Sequence, residues 1–396
     1  MHITIVGGGF GGIKAALELA KDSKNQITLI SDRPDFRYYP ALYSSATGHS
    51  HLSSSVPLGE ILANKDNIRV HIDEITTINP SEKNVTGKSG TLYQYDRCIL
   101  ALGTVTTYFG IKGLDNFSYG IKSETEIKQL KHRIYTSIAV DHKLDDRYII
   151  IGAGPTGVEL AGALGSYLKR LCKHYGVRDS KLRIELIEAA PRVLPRMSEE
   201  ASARVAKRLK KLGVKVSVNK AVQSASKDGI IIDGKEINSQ TVIWTSGVAN
   251  HPFYKANAEH FMLNERGHVI VDEFMQAAPS IYVIGDNAVT KHAGLAQTAL
   301  HDAIFVADNF KRERHHRHKK PYKPVAPPVV VPVGKRWAIF EWHGIRIFGW
   351  PAAMIRRAAD FMGYSDYLPI GQALGVWRSS SIIEDDYFSP RSVNNI

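Results

Sequence analysis

The sequence is poor in cysteine, with only Cys98 and Cys172 among its 396 residues. Two cysteines so far apart give neither a disulfide framework nor a C-x-x-C redox pair. Cys98 falls in an apolar stretch that predicts a buried strand, and Cys172 falls on a predicted helix, so we expect both thiols to be inert. The sequence therefore excludes chemistry that depends on a cysteine pair.

Long hydrophobic runs are also missing from the chain. The longest apolar stretches fall short of the about 18 residues that a transmembrane helix needs. A hydrophobic content of 43% and a charged content of 23% are typical of a soluble globular protein, and the length suits two or three domains. Because the chain opens on an apolar strand, we expect no signal or transit peptide. These features predict a cytoplasmic protein.

The whole chain has a net charge of +12, and acidic residues are scarce in one late part of it. Residues 311–357 contain twelve Lys or Arg against only Glu313 and Glu341. Such a segment can bind nucleic acid, face a membrane or form a solvated loop. Four of the five tryptophans lie between 335 and 377, which is typical of a membrane interface. With no nucleic-acid-binding fold in view, we predict that residues 311–378 contact a membrane surface and not nucleic acid.

A helix is predicted after Pro351, which suits a first helical position. One side of this helix would be apolar and the other charged, as in an interfacial helix. A core-packing helix with surface arginines is the alternative that stays open. The predicted apolar side comprises Met354, Ile355, Ala358, Phe361 and Met362, and the charged side comprises Arg356, Arg357 and Asp360.

A short apolar strand and a glycine-rich turn begin the chain. Ile3 to Val6 predicts a buried strand, and Gly7-x-Gly9-x-x-Gly12 leads from it into a predicted helix. The first glycine permits a tight turn, the second lets the backbone approach a pyrophosphate, and the third lets the helix pack close to the strand. The helix N-terminus then offers free N–H groups to phosphate oxygens.

The same arrangement occurs a second time after the apolar strand at 148–151. One such turn alone is a weak indication of a nucleotide site. Two turns in one chain predict two dinucleotides, with FAD at the first turn and NADH at the second. The second turn consists of Gly152, Gly154, Pro155, Thr156 and Gly157.

Three strand ends supply candidate ribose contacts. Ser31 stands where an acid that binds ribose hydroxyls is expected, and Asp32 follows it, so either residue can serve. Glu188 ends the matching strand of the second unit, and its charge would repel a 2′-phosphate, which favours NADH over NADPH. Asp286 ends a late apolar strand, where an acid commonly binds a ribityl or ribose hydroxyl. A helix-capping role is the alternative for Asp286.

Buried strands at 98–103 and 241–248 both end in small-residue turns, which indicates two copies of one architecture. The prediction is an α/β fold with two Rossmann-like dinucleotide-binding domains, for FAD and NADH, plus a C-terminal membrane-associating segment. We expect residues 1–111 and 250–330 to form the FAD-binding domain and 112–249 the NADH-binding domain. Residues 331–396 would form the membrane-surface segment and tail.

These features together resemble the two-dinucleotide-binding-domain flavoproteins, the pyridine nucleotide-disulfide reductase superfamily. Disulfide reductases and sulfide:quinone oxidoreductases of this superfamily need cysteines. Related peroxidases and NADH oxidases use a cysteine in the region where this chain has Leu42, Tyr43 and Ser44. The chain is most similar to the type II NADH dehydrogenases, which are single-subunit NADH:quinone oxidoreductases. The resemblance is carried by residues 152–162 (GAGPTGVELAG), 188–195 (EAAPRVLP), 284–286 (IGD), 296–301 (AQTALH) and 321–324 (PYKP), and by the aromatic C-terminal segment.

The resemblance implies an FAD enzyme that passes electrons from NADH to a membrane quinone without pumping protons. Such a protein is peripheral, lies on the cytoplasmic face of the cell membrane and can form a homodimer; no metal is expected. Glu159 would lie near the flavin and relay protons, Gln297 would bind the quinone, and His301 could supply a proton. Further contacts are implied for the cofactors at Phe10, Gly11, Ile75, Ala101, Gly103, Gly247 and Ala296, and for the quinone at Gln297, His301 and Ile370.

One position departs from the family, and other interpretations stay open. The family pattern A-Q-x-A-x-Q has a glutamine where this chain has His301, which puts the quinone contact in question. A packing role for His301 and a helix-stabilising role for Glu159 are alternatives.

Two other functions also stay open. A soluble NADH-dependent flavin reductase of ferredoxin or rubredoxin would use the basic segment to bind an acidic partner. A flavoprotein for binding or signalling, with slow redox turnover, is the third function.

Overall fold

The computed structural model describes residues 1–145, 147–178 and 182–384. Its larger sheet consists of β1 (His2–Val6), β2 (Gln26–Ser31), β5 (Ile68–Ile72), β9 (Arg97–Leu100), β19 (Gln276–Ala278) and β20 (Ile281–Val283). The spatial order is β19-β20-β9-β1-β2-β5, and every neighbouring pair is parallel except β19 and β20. Ile3 and Ile5 on one face of β1 and Thr4 on the other are fully buried, as expected for a strand covered on both faces.

A second, fully parallel sheet contains β11 (Tyr148–Ile151), β12 (Ile184–Ile187), β13 (Val214–Ser217) and β17 (Thr241–Trp244). Its order is β13-β12-β11-β17. The chain adds β12 and β13 on one side of β11 and then places β17 on the other side. Ligands of open α/β sheets bind at the carboxyl ends of the strands where the order reverses, here between β11 and β17. The α/β fold with Rossmann-like parallel sheets is confirmed.

Helices follow the glycine turns as predicted. The helix α1 (Phe10–Leu19) follows β1 and packs along α9 (Ala296–Arg314), whereas α6 (Pro155–Tyr175) follows β11. The predicted helix after Ser198 is also present. The Ser198 hydroxyl accepts from the Ala201 N–H and so caps the N-terminus of this helix. The remaining helices of this part are α2 (Leu42–Ala46), α3 (Leu58–Leu62), α4 (Leu114–Phe117), α5 (Glu124–Tyr135), α7 (Glu199–Lys211) and α8 (Pro252–Ala256).

Small antiparallel sheets surround the two parallel ones. They connect neighbouring segments and carry little of the predicted site. One pairs β3 (Asp35–Arg37) with β4 (Ser55–Pro57), a second contains β6 (Ile75–Asn79), β7 (Asn84–Gly87) and β8 (Leu92–Gln94), a third contains β14 (Val222–Ser226), β15 (Gly229–Ile232) and β16 (Lys235–Asn238), and a fourth contains β21 (Val329–Pro332), β22 (Ala338–Trp342) and β23 (Ile345–Gly349).

Two crossover strands connect the units that contain the parallel sheets. The strand β10 (Thr104–Thr106) follows β9, and it pairs with β18 (Val248–Asn250), which follows β17. The buried Asn287 side chain accepts from the Gly103 N–H at 2.8 Å and donates to the Gly103 carbonyl at 2.6 Å and to the Asn250 Oδ1 at 2.6 Å. One amide therefore holds both crossovers beside the end of β20.

The C-terminal part contains α10 (Trp350–Ser365) and α11 (Ile370–Ser379) beside the sheet of β21 to β23. Here the predicted sidedness of α10 is wrong at Arg356. Arg356 is buried while Met354 and Met362 are exposed, because the guanidinium pairs with carboxylates inside the protein. Within the described ranges, no helix combines the length and apolarity needed to cross a membrane.

The basic run at 311–320 is not a freely solvated loop throughout. It begins on the last turn of α9, where Arg312 pairs with Asp308 at 3.0 Å. Arg314 pairs with Asp22 near the end of α1. Part of the positive charge that the sequence concentrates here is therefore balanced by neighbouring carboxylates.

Candidate functional site

A cavity of about 1190 Å³ opens at the carboxyl ends of β1, β2, β9 and β20 and extends to residues of the second unit. Residues that are distant in the sequence therefore share one space. The predicted cofactor residues in its walls are Gly7, Gly9, Phe10, Gly11, Asp32, Ile75, Ala101, Gly103, Thr156, Asp286 and Ala296. Those outside its walls are Gly12, Ser31, Gly152, Gly154, Pro155, Gly157, Glu188 and Gly247.

The two glycine turns have the same geometry. Gly7 and Gly152 have positive φ angles of 117° and 103°, which side chains rarely allow. A Cβ atom on Gly12 would lie 1.8 Å from the Gly7 carbonyl oxygen, and one on Gly157 would lie 1.8 Å from the Gly152 carbonyl oxygen. Each helix can therefore approach its strand only if the third position is glycine.

The middle glycines leave space and donors for phosphate groups. Gly9 and Gly154 are the N-caps of α1 and α6, and no side chain caps either helix. A Cβ on either glycine would meet no atom within 4 Å. Free first-turn N–H groups beside an open space are what a pyrophosphate needs. Both turns therefore fit a dinucleotide.

The end of β2 presents Ser31 and Asp32 differently. Ser31 is buried, and its hydroxyl accepts from the Arg33 N–H at 3.3 Å. Asp32 lines the cavity and pairs with Arg33. The Asp32 carboxylate is therefore the more accessible of the two groups to a ligand in the cavity.

Glu188 lies where β12 ends and contacts the second glycine turn. Its carboxylate accepts from the Ala153 N–H at 2.6 Å and from the Ala190 N–H at 2.9 Å. Each carboxylate oxygen can accept more than one hydrogen bond. The group is thus held beside the turn and can still accept from ribose hydroxyls.

Two acids lie near the end of β20, the half-buried Asp286 and the buried Asp302. Asp286 lines the cavity and accepts from the Gly294 N–H at 3.1 Å, and burial raises the pKa of its carboxyl. Asp302 accepts from the Gly285 N–H at 3.0 Å and from the Tyr322 hydroxyl at 2.5 Å. Asp302 therefore fixes the turn that presents Asp286, a support that the sequence pattern did not reveal.

The predicted quinone residues lie outside the walls of this cavity. Gln297 is exposed on the first turn of α9, and Ile370 is 73% exposed at the start of α11. The His301 ring lies 5.6 Å from the Tyr322 ring, and its Nε2 is 3.1 Å from the Lys323 carbonyl oxygen. Because a carbonyl only accepts, Nε2 carries the hydrogen and Nδ1 is the acceptor when the ring is neutral.

Glu159 is buried on α6 and belongs to a charge cluster that the sequence pattern does not reveal. Arg356 Nη1 donates to Glu159 Oε1 at 3.0 Å, Nε donates to both Asp360 oxygens at 3.0 Å, and Nη2 donates to the Pro40 carbonyl at 2.6 Å. The Tyr38 hydroxyl donates to Asp360 at 3.3 Å. One cation therefore lies between two carboxylates and links α10, α6 and the loop before α2.

The protonation of Glu159 follows from this arrangement. Burial raises the pKa of Glu159 to about 7, although the Arg356 guanidinium opposes the shift. A single guanidinium cannot fully balance Glu159 and Asp360 when both are ionised. Glu159 is therefore a buried carboxyl that can exchange a proton near neutral pH.

Lys122 is a second functional candidate that the sequence pattern does not reveal. Its side chain lines the cavity, and Nζ donates to the Gly247 carbonyl at 2.9 Å. Burial lowers the pKa of this ammonium group. No motif marks Lys122, because it reaches the cavity only through the packing of the second crossover.

A family model described as Pyridine nucleotide-disulphide oxidoreductase matches residues 1–303. The chain is 32% identical over 338 residues to the type II NADH:quinone oxidoreductase Ndh of Mycobacterium tuberculosis, covering 79% of this chain and 72% of that protein. It is 29% identical over 407 residues to NdhA of the same organism, covering 95% and 86%. The solved structure of NDH2 from Plasmodium falciparum in complex with NADH is similar with a TM-score of 0.86, at 17% identity and 98% and 99% coverage, which shows the fold alone.

The paired glycine turns, the shared cavity and the sequence similarity all indicate the same family. The family model covers most of the chain, and the similarity to Ndh covers 79% of it. The chain belongs to the type II NADH:quinone oxidoreductase family, within the pyridine nucleotide-disulphide oxidoreductase superfamily.

Proposed function

We propose that this protein is an FAD-dependent enzyme that transfers electrons from NADH to a membrane quinone without pumping protons. The observation that carries the proposal is one cavity lined by residues of both dinucleotide-binding units. The names of the related M. tuberculosis proteins support NADH as donor and quinone as acceptor.

FAD fits the first glycine turn. Its pyrophosphate would be held at Gly9 and the N-terminus of α1, its adenosine ribose at Asp32 or Ser31, and its ribityl chain at Asp286. When bound, FAD supplies the redox chemistry that takes a hydride and passes on two electrons. The other residues that would hold it are Gly7, Phe10, Gly11, Gly12, Ile75, Ala101, Gly103 and Ala296.

NADH fits the second glycine turn, with its pyrophosphate at the N-terminus of α6 and its adenosine ribose at Glu188. Loss of a hydride converts NADH to NAD⁺ and removes two electrons and one proton. The quinone needs two electrons and two protons to become the quinol, so one further proton must enter. The other residues that would hold NADH are Gly152, Gly154, Pro155, Thr156, Gly157 and Gly247.

We propose that Glu159 supplies this further proton to the quinone. Its Oε1 is engaged by Arg356, so Oε2 is the atom that would hold and release the proton. Gln297 would bind the quinone, with His301 and Ile370 near it. A glutamine at position 301 could only donate or accept a hydrogen bond, whereas His301 can also carry a proton.

We propose that α10 and α11 supply the apolar part of the membrane-facing surface within residues 311–378. Trp350, Met354, Met362 and Ile370 are exposed on these helices, whereas Arg356 faces the protein. Exposed aromatic and apolar side chains beside basic residues are typical of peripheral attachment. The surface would lie on the cytoplasmic face of the membrane.

We propose the domain organisation on the same basis. Residues 1–111 and 250–330 would bind FAD, 112–249 would bind NADH, and 331–396 would form the membrane-surface segment and tail. The two separate parallel sheets support this division. A homodimer stays a prediction.

The proposal is tested with purified holoprotein and NADH against three acceptors: a long-chain quinone in vesicles, a short quinone in solution, and a ferredoxin or rubredoxin. We expect turnover with both quinones. Turnover with the carrier protein alone would favour the soluble reductase instead. Absence of turnover with every acceptor would contradict both enzyme functions.

A further inference from the structure

Phe109 is a large aromatic residue in the cavity wall that no motif explains. It lines the cavity, yet 65% of its surface is exposed. Its φ angle is 53°, in the left-handed region that a bulky residue rarely adopts. Such strain persists only where the surroundings hold it, and it concentrates at ligand-binding sites.

The surroundings of Phe109 hold the ring in place. Its N–H donates to the Thr107 hydroxyl at 3.2 Å, and the Thr107 carbonyl accepts from the Trp244 Nε1 at 3.0 Å. The rings of Phe109 and Trp244 are 6.1 Å apart in an edge-to-face arrangement. A Cβ on Gly247 would lie 3.0 Å from Phe109 Cε2. The end of β17 and the turn after it therefore support one edge of the ring and leave much of the ring accessible from the cavity.

The sheet order places Phe109 relative to a dinucleotide. Glu188 follows β12, which lies on one side of β11, whereas Trp244 ends β17 on the other side. A dinucleotide bound at the turn after β11, with its adenosine at Glu188, extends toward β17. Its nicotinamide end then lies on the side where Phe109 packs against Trp244 and Gly247.

We propose that Phe109 is a substrate-binding residue that contacts the nicotinamide end of NADH and sets the affinity for it. The inference rests on the proposed NADH site. An exposed ring face on a fixed support suits a planar aromatic ligand, because stacking and apolar burial both favour contact. The unfavourable φ angle is retained because the ring serves binding and not folding.

The test compares Phe109→Asn and Phe109→Tyr holoenzymes with wild type. Asparagine tolerates the left-handed conformation, so Phe109→Asn removes the ring without a conformational penalty. Phe117→Asn is the matched control, since Phe117 is 44% exposed on the nearby α4 and does not line the cavity. The readouts are KM for NADH, Kd for NAD⁺ and for ADP-ribose, FAD content and Tm.

We expect Phe109→Asn to raise KM for NADH and Kd for NAD⁺ about tenfold, and Phe109→Tyr and Phe117→Asn to change them by less than about twofold. FAD content and Tm should stay at wild-type values in Phe109→Asn. Kd for ADP-ribose, which lacks the nicotinamide ring, should also stay unchanged. A wild-type Kd for NAD⁺ in Phe109→Asn, or equal weakening of NAD⁺ and ADP-ribose, would overturn the inference. Failure of the proposed function is distinct, because wild-type protein would then show no turnover of NADH with quinone.

Discussion

At the residue scale, the charge cluster of Glu159, Arg356 and Asp360 controls the protonation of the Glu159 carboxyl. Glu159 could be singled out from the sequence because it follows a glycine turn. Arg356 could not, because the helical pattern alone places it among polar residues. Its burial depends on a contact with Glu159, 197 residues away, and with the Pro40 carbonyl. Local periodicity holds no information about such a contact.

The replacement Glu159→Gln tests the proton-donor role. Since the pKa of Glu159 is about 7, the carboxyl is protonated below that pH and ionised above it. The rate of quinone reduction in wild type should therefore fall as pH rises through this value. Glu159→Gln should slow quinone reduction and remove this pH dependence, while the rate of flavin reduction by NADH stays near wild type. A wild-type pH profile in the variant would exclude the role.

Replacement of Arg356 tests the structural role of the cluster. Arg356→Met leaves the buried Glu159 carboxyl and the half-buried Asp360 carboxyl without their cation, which should lower the free energy of unfolding by about 3–5 kcal/mol. The control Arg357→Met removes an exposed guanidinium that lies 4.7 Å from the Trp377 ring, and it should cost about 1 kcal/mol or less. Urea denaturation of both variants gives the comparison. Equal losses in the two variants would show that the buried charge cluster stabilises the fold no more than the exposed Arg357 does.

At the scale of elements, the two glycine turns should act independently. The methyl group of Gly157→Ala would lie 1.8 Å from the Gly152 carbonyl oxygen and displace α6. Overpacking of this kind costs about 1–3 kcal/mol of folding stability. Because α6 presents the N–H groups that would bind the pyrophosphate, its displacement should weaken NADH binding about tenfold, which corresponds to about 1.4 kcal/mol. FAD content should be retained in Gly157→Ala and lost in Gly12→Ala. The control Gly59→Ala meets open space and should change neither. Loss of FAD in both turn variants would contradict separate sites.

The exposed apolar residues of α10 give a second prediction at this scale. Trp350 and Met362 are 59% and 67% exposed on this helix. Trp350→Glu combined with Met362→Glu should weaken binding to anionic vesicles in a flotation assay and lower turnover with vesicle-borne quinone, because charge replaces apolar burial. Turnover with a short soluble quinone should persist, because neither residue is a proposed quinone contact. The control Leu92→Glu changes a side chain that is 59% exposed on β8 and should bind vesicles normally. Normal flotation of the double variant would show that α10 is not the attachment surface.

At the scale of the whole molecule, the sequence predicts the fold better than the acceptor site. Both glycine turns and their strands could be located because glycine spacing and apolar runs are local signals. The helix boundaries near Ser198 and Pro351 were predictable for the same reason. The cavity wall that contains Lys122 and Phe109 was not, because it forms only when two crossovers pair through β10 and β18. The sidedness of α10 was missed because a buried ion pair overrides its pattern.

The most direct measurement is anaerobic stopped-flow spectroscopy of the holoprotein, first with NADH and then with a long-chain quinone in vesicles. We expect the purified protein to contain FAD, NADH to bleach the visible flavin absorbance rapidly, and the quinone to restore it. A protein that neither retains nor takes up FAD, or a bleached flavin that the quinone leaves bleached, would contradict electron transfer from NADH through FAD to quinone.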